Sequence, residues 1–414
     1  MKFLFLTYGT DGDTRPLAAL AKELIQRGHE ARLLADRASA PLALAHGIPF
    51  TALAGDIRQA VLPGGELGAV TQGRADLSRV TRACARIARE HTGAWMTTAA
   101  QEARGCDVLV FSGLASYAGL AVAEALRIPC IGAGLWPMTP TREFGAAFLR
   151  PRRLPGWANR LTHRFFGALS WALFRPAVNA ARKQVFGLPP RRRMWGGYPV
   201  LYGCSPALVP RPADWPVEVS VTGAWQLGAQ QAWQPQQDLA DFLAAGEAPV
   251  YVGFGSMAGL DPQALLQALR RLALERRVLF YPGWSGVDSA ALPPGVFVLG
   301  DTPHDWLFPR TSAIVHHGGA GTSHAAARSG VPSVVVPFAG DQFFWAGRLA
   351  RAGVALACPA QELGHGDLAG LIAAATAPTM QARSRRLARV MAKEDGIAAA
   401  VDAMLGGAAR VPLP

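Results

Sequence analysis

The segment from His316 to Thr322 reads HHGGAGT and offers groups that suit an anion. Ser312–Val315 is apolar enough for a buried strand, and the glycines allow a tight turn into a helix that we expect to begin near Thr322. The first amides of a helix lack intrahelical acceptors and lie at its positive dipole end, so they bind phosphate well. His317 and the Thr322 hydroxyl add two donors. The spacing therefore predicts a phosphate site.

A second polar pair, Asp341 and Gln342, follows the apolar stretch Val334–Val336. We expect this stretch to be the next parallel strand, and open α/β sheets bind ligands at the carboxyl ends of such strands. A carboxylate beside an amide accepts and donates hydrogen bonds, which suits vicinal sugar hydroxyls. A site for phosphates at one loop and a site for a polyhydroxyl group at the next indicate that the ligand is a sugar nucleotide.

Asp13, in the N-terminal segment GTDGDTRP, is the candidate general base. Transfer of a sugar from a nucleotide to a hydroxyl needs a group that removes the proton of that hydroxyl while the nucleotide leaves. Asp13 can alternatively cap a helix that we expect to start near Pro16, because a first turn tolerates proline. One carboxylate can do both. Its ordinary pKa of about 4 requires late proton transfer or a pKa raised by burial.

Strands and helices alternate along the chain, which predicts an α/β fold with parallel sheets. In the first half we predict a helix at Leu17–Gln26 and strands at Phe3–Thr7, Glu30–Ala35, Val108–Phe111 and Cys130–Ala133. In the second half we predict strands at Val250–Phe254, Val278–Tyr281, Val296–Leu299, Ser312–Val315 and Val334–Val336. Prolines crowd residues 206–216. We therefore predict a first domain at 1–208, a linker at 209–223, a second domain at 224–390 and a terminal segment at 391–414.

Composition agrees with two globular domains, because 414 residues are enough for two cores. No run reaches the roughly 18 apolar residues of a membrane span. The start MKFLFLTYG lacks a small-residue cleavage site and leads into a strand, loop and helix, which argues against a signal peptide. The five cysteines have no metal-ligand spacing, so we expect a reduced, cytoplasmic protein without structural disulfide or zinc.

Several stretches resemble the family 1 nucleotide-sugar glycosyltransferases, and within them the sterol and lipid glucosyltransferases and the bacterial transferases that glucosylate glycopeptide antibiotics. These stretches are HHGGAGT with GVPSVVVPFAGDQFFWAGR, GDTPHDWLFPR before them, and the N-terminal GTDGDTRP. The resemblance implies a GT-B fold, in which two Rossmann-like domains face each other across a cleft and the last helix, here at Gly396–Leu405, returns to the first domain. It also implies inverting, metal-independent transfer from a UDP-sugar, commonly UDP-glucose, with no resident cofactor.

The resemblance also assigns roles to individual residues. Asp13 is the proposed base, and Thr10, Asp11 and Gly12 lie on the acceptor side. The residues expected to contact the diphosphate or the nucleoside are Ser256, Leu299, Gly300, His317, Gly319, Gly321 and Thr322. Asp341 and Gln342 are expected to contact the donor sugar. His316, at the end of its strand, is expected to be structural. We expect the nucleoside of the donor to be uridine rather than thymidine.

Asp11 departs from this pattern, because an arginine is common at its position in those branches. Together with Asp13 it spells the Asp-x-Asp metal motif of the other major glycosyltransferase fold, whose context this chain lacks. No metal is therefore expected. A charge at Asp11 would instead raise the pKa of Asp13.

The stretch from Phe144 to Ala213 gives the signal for the acceptor. It holds twelve Arg or Lys and no Asp or Glu, which equals the net charge of the whole chain. The interleaved aromatics are Phe148, Trp157, Phe165, Phe166, Trp171, Phe174, Phe186 and Trp195. This pattern suits an anionic membrane surface, whereas no recognition motif points to nucleic acid. The alternative is that the aromatics are core and the arginines a solvated face.

An apolar acceptor such as a sterol, hopanoid, carotenoid or glycolipid would be reached at such a membrane, with the protein peripheral on its inner face. Two alternatives remain at this point. One is a transferase for a soluble natural product such as a macrolide or glycopeptide. The other is a catalytically silent partner protein, against which the intact His317, Thr322, Asp341 and Gln342 argue.

Overall fold

The computed structural model describes residues 1–61, 77–150, 153–228, 233–255, 260–364 and 366–407. Within these ranges the chain forms a seven-stranded sheet and a six-stranded sheet, and all strand pairs in both are parallel. The predicted α/β class is confirmed.

The first sheet has the order β3-β2-β1-β4-β5-β6-β7. Its strands are β1 Lys2–Leu6, β2 Glu30–Asp36, β3 Phe50–Leu53, β4 Val108–Phe111, β5 Cys130–Gly134, β6 Val200–Tyr202 and β7 Val219–Val221. Its helices are α1 Asp11–Gln26, α2 Ala40–Ala45, α3 Ile57–Val61, α4 Leu77–Glu102, α5 Ser116–Leu126 and α6 Gly156–Phe186.

The second sheet has the order β10-β9-β8-β11-β12-β13. Its strands are β8 Val250–Gly253, β9 Val278–Tyr281, β10 Val296–Val298, β11 Ala313–His316, β12 Ser333–Val335 and β13 Ala355–Ala357. The helices of this half are α7 Gln237–Ala244, α8 Pro262–Ala273, α9 His304–Leu307, α10 Ala320–Ser329, α11 Gln342–Arg351, α12 Leu368–Ala375, α13 Pro378–Met391 and α14 Gly396–Gly407.

The central strand β1 is apolar and buried from Phe3 to Leu6 because helices cover both faces of its sheet. Leu4 and Leu6 pack in the core with α4 and α5, whereas Phe3 and Phe5 point to the opposite face and pack with α1. The last helix, α14, also packs on that second face through Val401. The chain therefore returns to the first sheet after completing the second.

Two sequence boundaries differ from the structure. The predicted linker 209–223 includes β7, which is hydrogen-bonded into the first sheet, so the chain leaves that sheet only after Val221. The helix expected to start near Pro16 begins at Asp11, and Pro16 is its sixth residue. Among the described residues, no helix combines the length and apolarity needed to cross a bilayer.

Candidate active site

Asp13 lies in the first turn of α1, at the carboxyl end of β1. Thr10 is the N-cap, and its backbone N–H donates to Asp13 Oδ2 at 2.8 Å while its hydroxyl donates at 3.3 Å. This is the return bond of a capping box, in which the third helical residue satisfies the N-cap amide. The carboxylate therefore helps to start the helix while its remaining oxygen can serve chemistry.

The backbone at Gly9 approaches the carboxylate so closely that only glycine fits. A Cβ at Gly9 would lie 2.2 Å from Asp13 Oδ2. Burial raises the pKa of Asp13 to about 6, because desolvation outweighs the two hydrogen bonds from Thr10. A carboxylate with this pKa is an effective proton acceptor near neutral pH.

The predicted phosphate site forms at the start of α10. Gly319 is the N-cap, and the helix begins at Ala320, two residues before the expected Thr322. The first helical hydrogen bond runs from the Ser323 amide to the Gly319 carbonyl at 2.9 Å. Gly321 is exposed, and a Cβ there would meet nothing within 4 Å. The amides before Ser323 therefore lack a helical acceptor, and the space beside Gly321 is open, which suits the predicted phosphate site.

His317 is held beside this helix end by two glycines. A Cβ at Gly319 would lie 2.4 Å from His317 Nε2, and a Cβ at Gly255 would lie 3.6 Å from its Cε1. Its Nδ1 is buried without a hydrogen-bond partner among the described residues. Burial, with a contribution from His304, lowers the pKa of His317 to about 4. The ring is therefore neutral at pH 7 and has one N–H to donate.

His316 is fully buried at the end of β11. The Gly318 amide donates to its Nδ1 at 3.1 Å, so the ring proton of the neutral side chain is assigned to Nε2. Burial lowers its pKa to about 3. Gly318 has a φ of +90°, which favours glycine in the turn that His316 stabilises.

Asp341 is the N-cap of α11 and is partly buried. Its Oδ2 accepts from Trp345 Nε1 at 2.8 Å. Desolvation raises the pKa of Asp341 to about 7, and the charge of Asp13 contributes to the increase. The two carboxyl groups, one from each half of the chain, therefore lie close enough to interact across the cleft.

Gln342 supports the loop that carries Asp341. The side chain is buried, and its Oε1 accepts from the amides of Phe338 at 2.9 Å and Ala339 at 3.0 Å. The oxygen is thus bound within its own loop. Contact between Gln342 and a sugar stays a prediction.

The predicted nucleoside contacts Leu299 and Gly300 follow β10. Leu299 is buried, and its N–H donates to the Phe280 carbonyl at 2.8 Å, which leaves only its carbonyl for a ligand. Gly300 is exposed beside open space. Ser256 lies outside the described residues.

The acceptor-side residues Asp11 and Gly12 are exposed at the cleft. Partial burial raises the pKa of Asp11, while Arg15 lowers it and Asp301 of the second half raises it. Asp11 therefore faces the opposite domain. Its predicted effect on the pKa of Asp13 is not seen, since burial and Thr10 account for that pKa.

Sequence reasoning missed an aromatic cluster that is buried in the first domain behind β1, in which Tyr8 is 2% and Trp95 0% exposed. Tyr8 follows β1, and its ring lies 4.5 Å from the ring of Trp95, centroid to centroid. Trp95 donates to the Ala54 carbonyl at 2.7 Å, which fixes the indole. His91 stacks on Trp95 at 5.8 Å. These rings come from α4 and the first loop, and no local pattern indicates that they meet.

His324 was also missed, although it attaches the phosphate-binding helix to the first domain. Its Nε2 accepts from the Ser205 amide at 3.0 Å, and its Nδ1 lies 2.7 Å from the Ala320 carbonyl. The Ser205 hydroxyl donates to Glu394 at 2.7 Å. Because Ala320 is the first residue of α10, the two halves of the site are held in register.

The basic stretch from Phe144 to Ala213 contains both core and surface aromatics. Trp171, Phe174 and Trp195 are buried, which corrects their placement on a membrane face. Trp157, Leu161 and Phe165 are 69%, 56% and 52% exposed, on one face of α6. Of the aromatics predicted to face a membrane, Trp157 and Phe165 are therefore on the surface, whereas the three buried ones belong to the core.

No group of three or more His, Cys, Asp or Glu suited to a metal ion occurs in the part of the chain that the structure describes. The five cysteines are free thiols.

Two Rossmann-like domains, with a buried carboxyl group of one facing the start of α10 in the other, have the architecture of a glycosyltransferase of the GT-B fold. Residues 3–144 match the Glycosyltransferase family 28 N-terminal domain. Residues 263–403 match the Erythromycin biosynthesis protein CIII-like, C-terminal domain. Solved structures similar to the chain include the calicheamicin glycosyltransferase CalG4, with a TM-score of 0.71 and 19% identity over 99% of this chain and 98% of that one. SnogD from Streptomyces nogalater has a TM-score of 0.65 and 23% identity over 99% of both chains.

Curated relatives make the family more specific. Sterol 3-beta-glucosyltransferase UGT80B1 of Arabidopsis thaliana is 33% identical over 97% of this chain and 67% of its own length. Sterol 3-beta-glucosyltransferase of Eremothecium gossypii is 34% identical over 96% of this chain and 33% of its own length. The chain belongs to the GT-B nucleotide-sugar glycosyltransferase family that includes these sterol 3-beta-glucosyltransferases. It spans about two thirds of the plant relative and a third of the fungal one.

Proposed function

We propose that the chain transfers glucose from UDP-glucose to the hydroxyl of a sterol or similar apolar lipid, with inversion and without a metal. The observation that carries this proposal is the placement of Asp13 opposite Asp341, across a cleft that also contains the start of α10. This arrangement provides a proton acceptor, a sugar contact and a phosphate site together.

In the proposed reaction, the acceptor hydroxyl donates a hydrogen bond to Asp13 and attacks the anomeric carbon. A new carbon–oxygen bond forms on one face of the sugar while the bond to the diphosphate breaks on the other, and the proton passes to Asp13. UDP leaves with the bonding electrons. The amides of α10, His317 and the Thr322 hydroxyl stabilise its charge, which is the task that a metal performs elsewhere.

Asp341 is suited to orient the donor sugar. With a pKa of about 7 it exchanges between a carboxylate that accepts two hydrogen bonds and a carboxylic acid that also donates one. The bond from Trp345 fixes one oxygen and leaves the other for a sugar hydroxyl.

The sterol acceptor is supported by the named activity of the relatives.

The exposed face of α6 supports docking on an anionic membrane. Trp157, Leu161 and Phe165 recur every four residues. Serine at Trp157 and Phe165 should reduce sedimentation with anionic liposomes, whereas serine at the exposed Val217 and Leu274 should not. Equal sedimentation of both variants would contradict this docking face.

The reaction is tested with the purified chain, UDP-glucose and a detergent-solubilised sterol panel, read by mass spectrometry. The expected product is a β-glucoside, formed equally in the presence of EDTA. An α-glucoside would contradict inversion, and loss of turnover in EDTA with recovery on adding Mg²⁺ would contradict metal independence.

A second candidate is glycosylation of a soluble natural product. It is favoured by the match of residues 263–403 to the Erythromycin biosynthesis protein CIII-like domain. A panel with macrolide aglycones and with dTDP- and UDP-sugars separates the two. Turnover of a macrolide with no turnover of any sterol would favour this second function.

A further inference from the structure

A groove of about 700 Å³ lies where the first domain meets α11. Glu143, Phe144, Phe148, Leu149 and Asn159 line it from the first domain, and α11 contributes Phe344, Gly347, Arg348 and Arg351. Arg150 and Arg153 line it from the other side. The groove therefore brings together four guanidinium groups from both domains.

One carboxylate, Glu143, also lines the groove, and its charge opposes the lowering of the Arg348 pKa by burial and by Arg351. Among the described residues, none of the four arginines forms an ion pair within 4.0 Å. Arg348 is sandwiched between Phe144 at 4.6 Å and Phe344 at 5.1 Å, and its Nε is buried without a hydrogen-bond partner. A partly buried cation beside other cations is unfavourable unless an anion joins them.

The groove is separate from the diphosphate site. Arg348 and Arg351 follow Asp341 by seven and ten residues on α11. At a rise of 1.5 Å per residue they lie about 10 and 15 Å along the helix from the sugar contact. An anion bound there is therefore a different molecule from the donor.

Apart from the four arginines, Glu143 and Asn159, the side chains that line the groove are apolar, and this apolar surface continues toward the exposed face of α6. Phe144, Phe148, Leu149 and Leu154 line it. The ring of Phe148 lies 5.8 Å from that of Phe166, which in turn lies 5.5 Å from that of Phe165, centroid to centroid. A free phosphate would leave this apolar path unused, whereas an amphiphile would cover it.

We propose that this groove binds the phosphate head group of an anionic phospholipid, with the first part of the acyl chains along Phe148 toward Phe165. The inference builds on the proposed membrane docking, and it gives that docking a preference for anionic lipid. The bound lipid contacts both domains and so ties the orientation of α11 to the membrane.

Short-chain lipids test the groove without a bilayer. Dihexanoyl-phosphatidylglycerol and dihexanoyl-phosphatidylcholine are titrated below their micelle concentrations and followed by calorimetry. We expect the anionic lipid to bind at least tenfold more tightly. A charge close to an anionic lipid contributes about a fivefold factor, so Arg150→Gln with Arg153→Gln should weaken binding about 25-fold.

A second double variant, Arg348→Gln with Arg351→Gln, should give a similar loss, with thermal denaturation as the check on folding. The matched control, Arg104→Gln with Arg276→Gln, removes two exposed arginines that precede β4 and β9 and should retain affinity within twofold. UDP affinity should be unchanged in all three variants. Equal binding of the two lipids, an equal loss in the control, or inorganic phosphate binding as tightly as the lipid would each overturn the proposal.

Vesicle sedimentation separates this proposal from docking through α6. If the variant with serine at Trp157 and Phe165 no longer sediments but still binds the short-chain anionic lipid, the groove proposal is supported. If the wild-type chain sediments with anionic vesicles and the short-chain lipid does not bind, the groove proposal is wrong.

Discussion

Replacement of Asp13 by asparagine is expected to stabilise the fold while it stops catalysis. The pKa of Asp13 is about 6 in the folded chain and 3.8 in its ordinary exposed state. The folded state therefore holds the Asp13 proton more tightly than the unfolded state does. Proton binding to Asp13 stabilises the fold at low pH, and this stabilisation is lost as the pH rises through 6. Keeping the carboxylate ionised in the fold costs at most about 3 kcal/mol at pH 8 and about 0.5 kcal/mol at pH 4.

Asparagine avoids this cost and keeps an oxygen for the Thr10 amide. A domain of 150–250 residues gains about 2–4 °C in Tm for each kcal/mol, so the variant should melt up to about 10 °C higher at pH 8 and about 1–2 °C higher at pH 4. Thermal denaturation at the two pH values measures this difference. Loss of a general base should lower kcat by about 10²- to 10⁴-fold, with UDP affinity unchanged.

The wild-type pH profile gives a further check. The value of kcat/KM should fall as the pH drops below about 6, because Asp13 becomes protonated there. Asp288→Asn, at an exposed carboxyl on the second domain, serves as the control and should change neither Tm nor turnover. An Asp13→Asn variant that is less stable at pH 8, or equally stabilised at both pH values, would refute the desolvation argument. Retained turnover would remove Asp13 from the mechanism.

Three further substitutions probe the parts of the cleft. Gly9→Ala places a methyl group 2.2 Å from the present position of Asp13 Oδ2, so kcat should fall at least tenfold while calorimetry shows UDP bound as before; unchanged kcat would mean that the carboxylate has room to move. Gly321→Leu fills open space, so UDP affinity should fall at least tenfold with Tm nearly unchanged, and normal UDP binding would place the diphosphate elsewhere. His324→Ala removes the bond to the Ser205 amide, so hydrolysis of UDP-glucose should increase relative to sugar transfer, and an unchanged ratio would contradict a role in domain closure.

The main strands could be predicted because burial on both faces leaves continuous apolar runs, as in Phe3–Leu6. The short strands β6, β7 and β13 could not. Each has three residues, and Val219–Val221 follows a proline-rich stretch that is typical of a linker. Their strand conformation depends on pairing with distant residues, which no local pattern records.

The sequence predicted which residue types form the site better than it predicted how they are arranged in space. The Thr10-x-x-Asp13 spacing is itself a capping-box signal, but Pro16 suggested a later start for α1. A proline at the sixth position is tolerated at the loss of one hydrogen bond, to the Gly12 carbonyl. Contacts that arise only when two domains meet, such as His324 with Ser205, have no sequence signal of their own.

The strength of Asp13 as a base is expected to depend on whether the cleft between the two domains is closed. Asp13 and Asp341 belong to different domains, burial raises the pKa of each, and the charge of Asp13 also raises the pKa of Asp341. Opening the cleft admits water and separates the charges, so both pKa values fall toward that of an exposed aspartate. Asp13 is then a weaker base when water can reach the donor and a stronger one when water is excluded. The same burial that costs stability therefore favours transfer over hydrolysis.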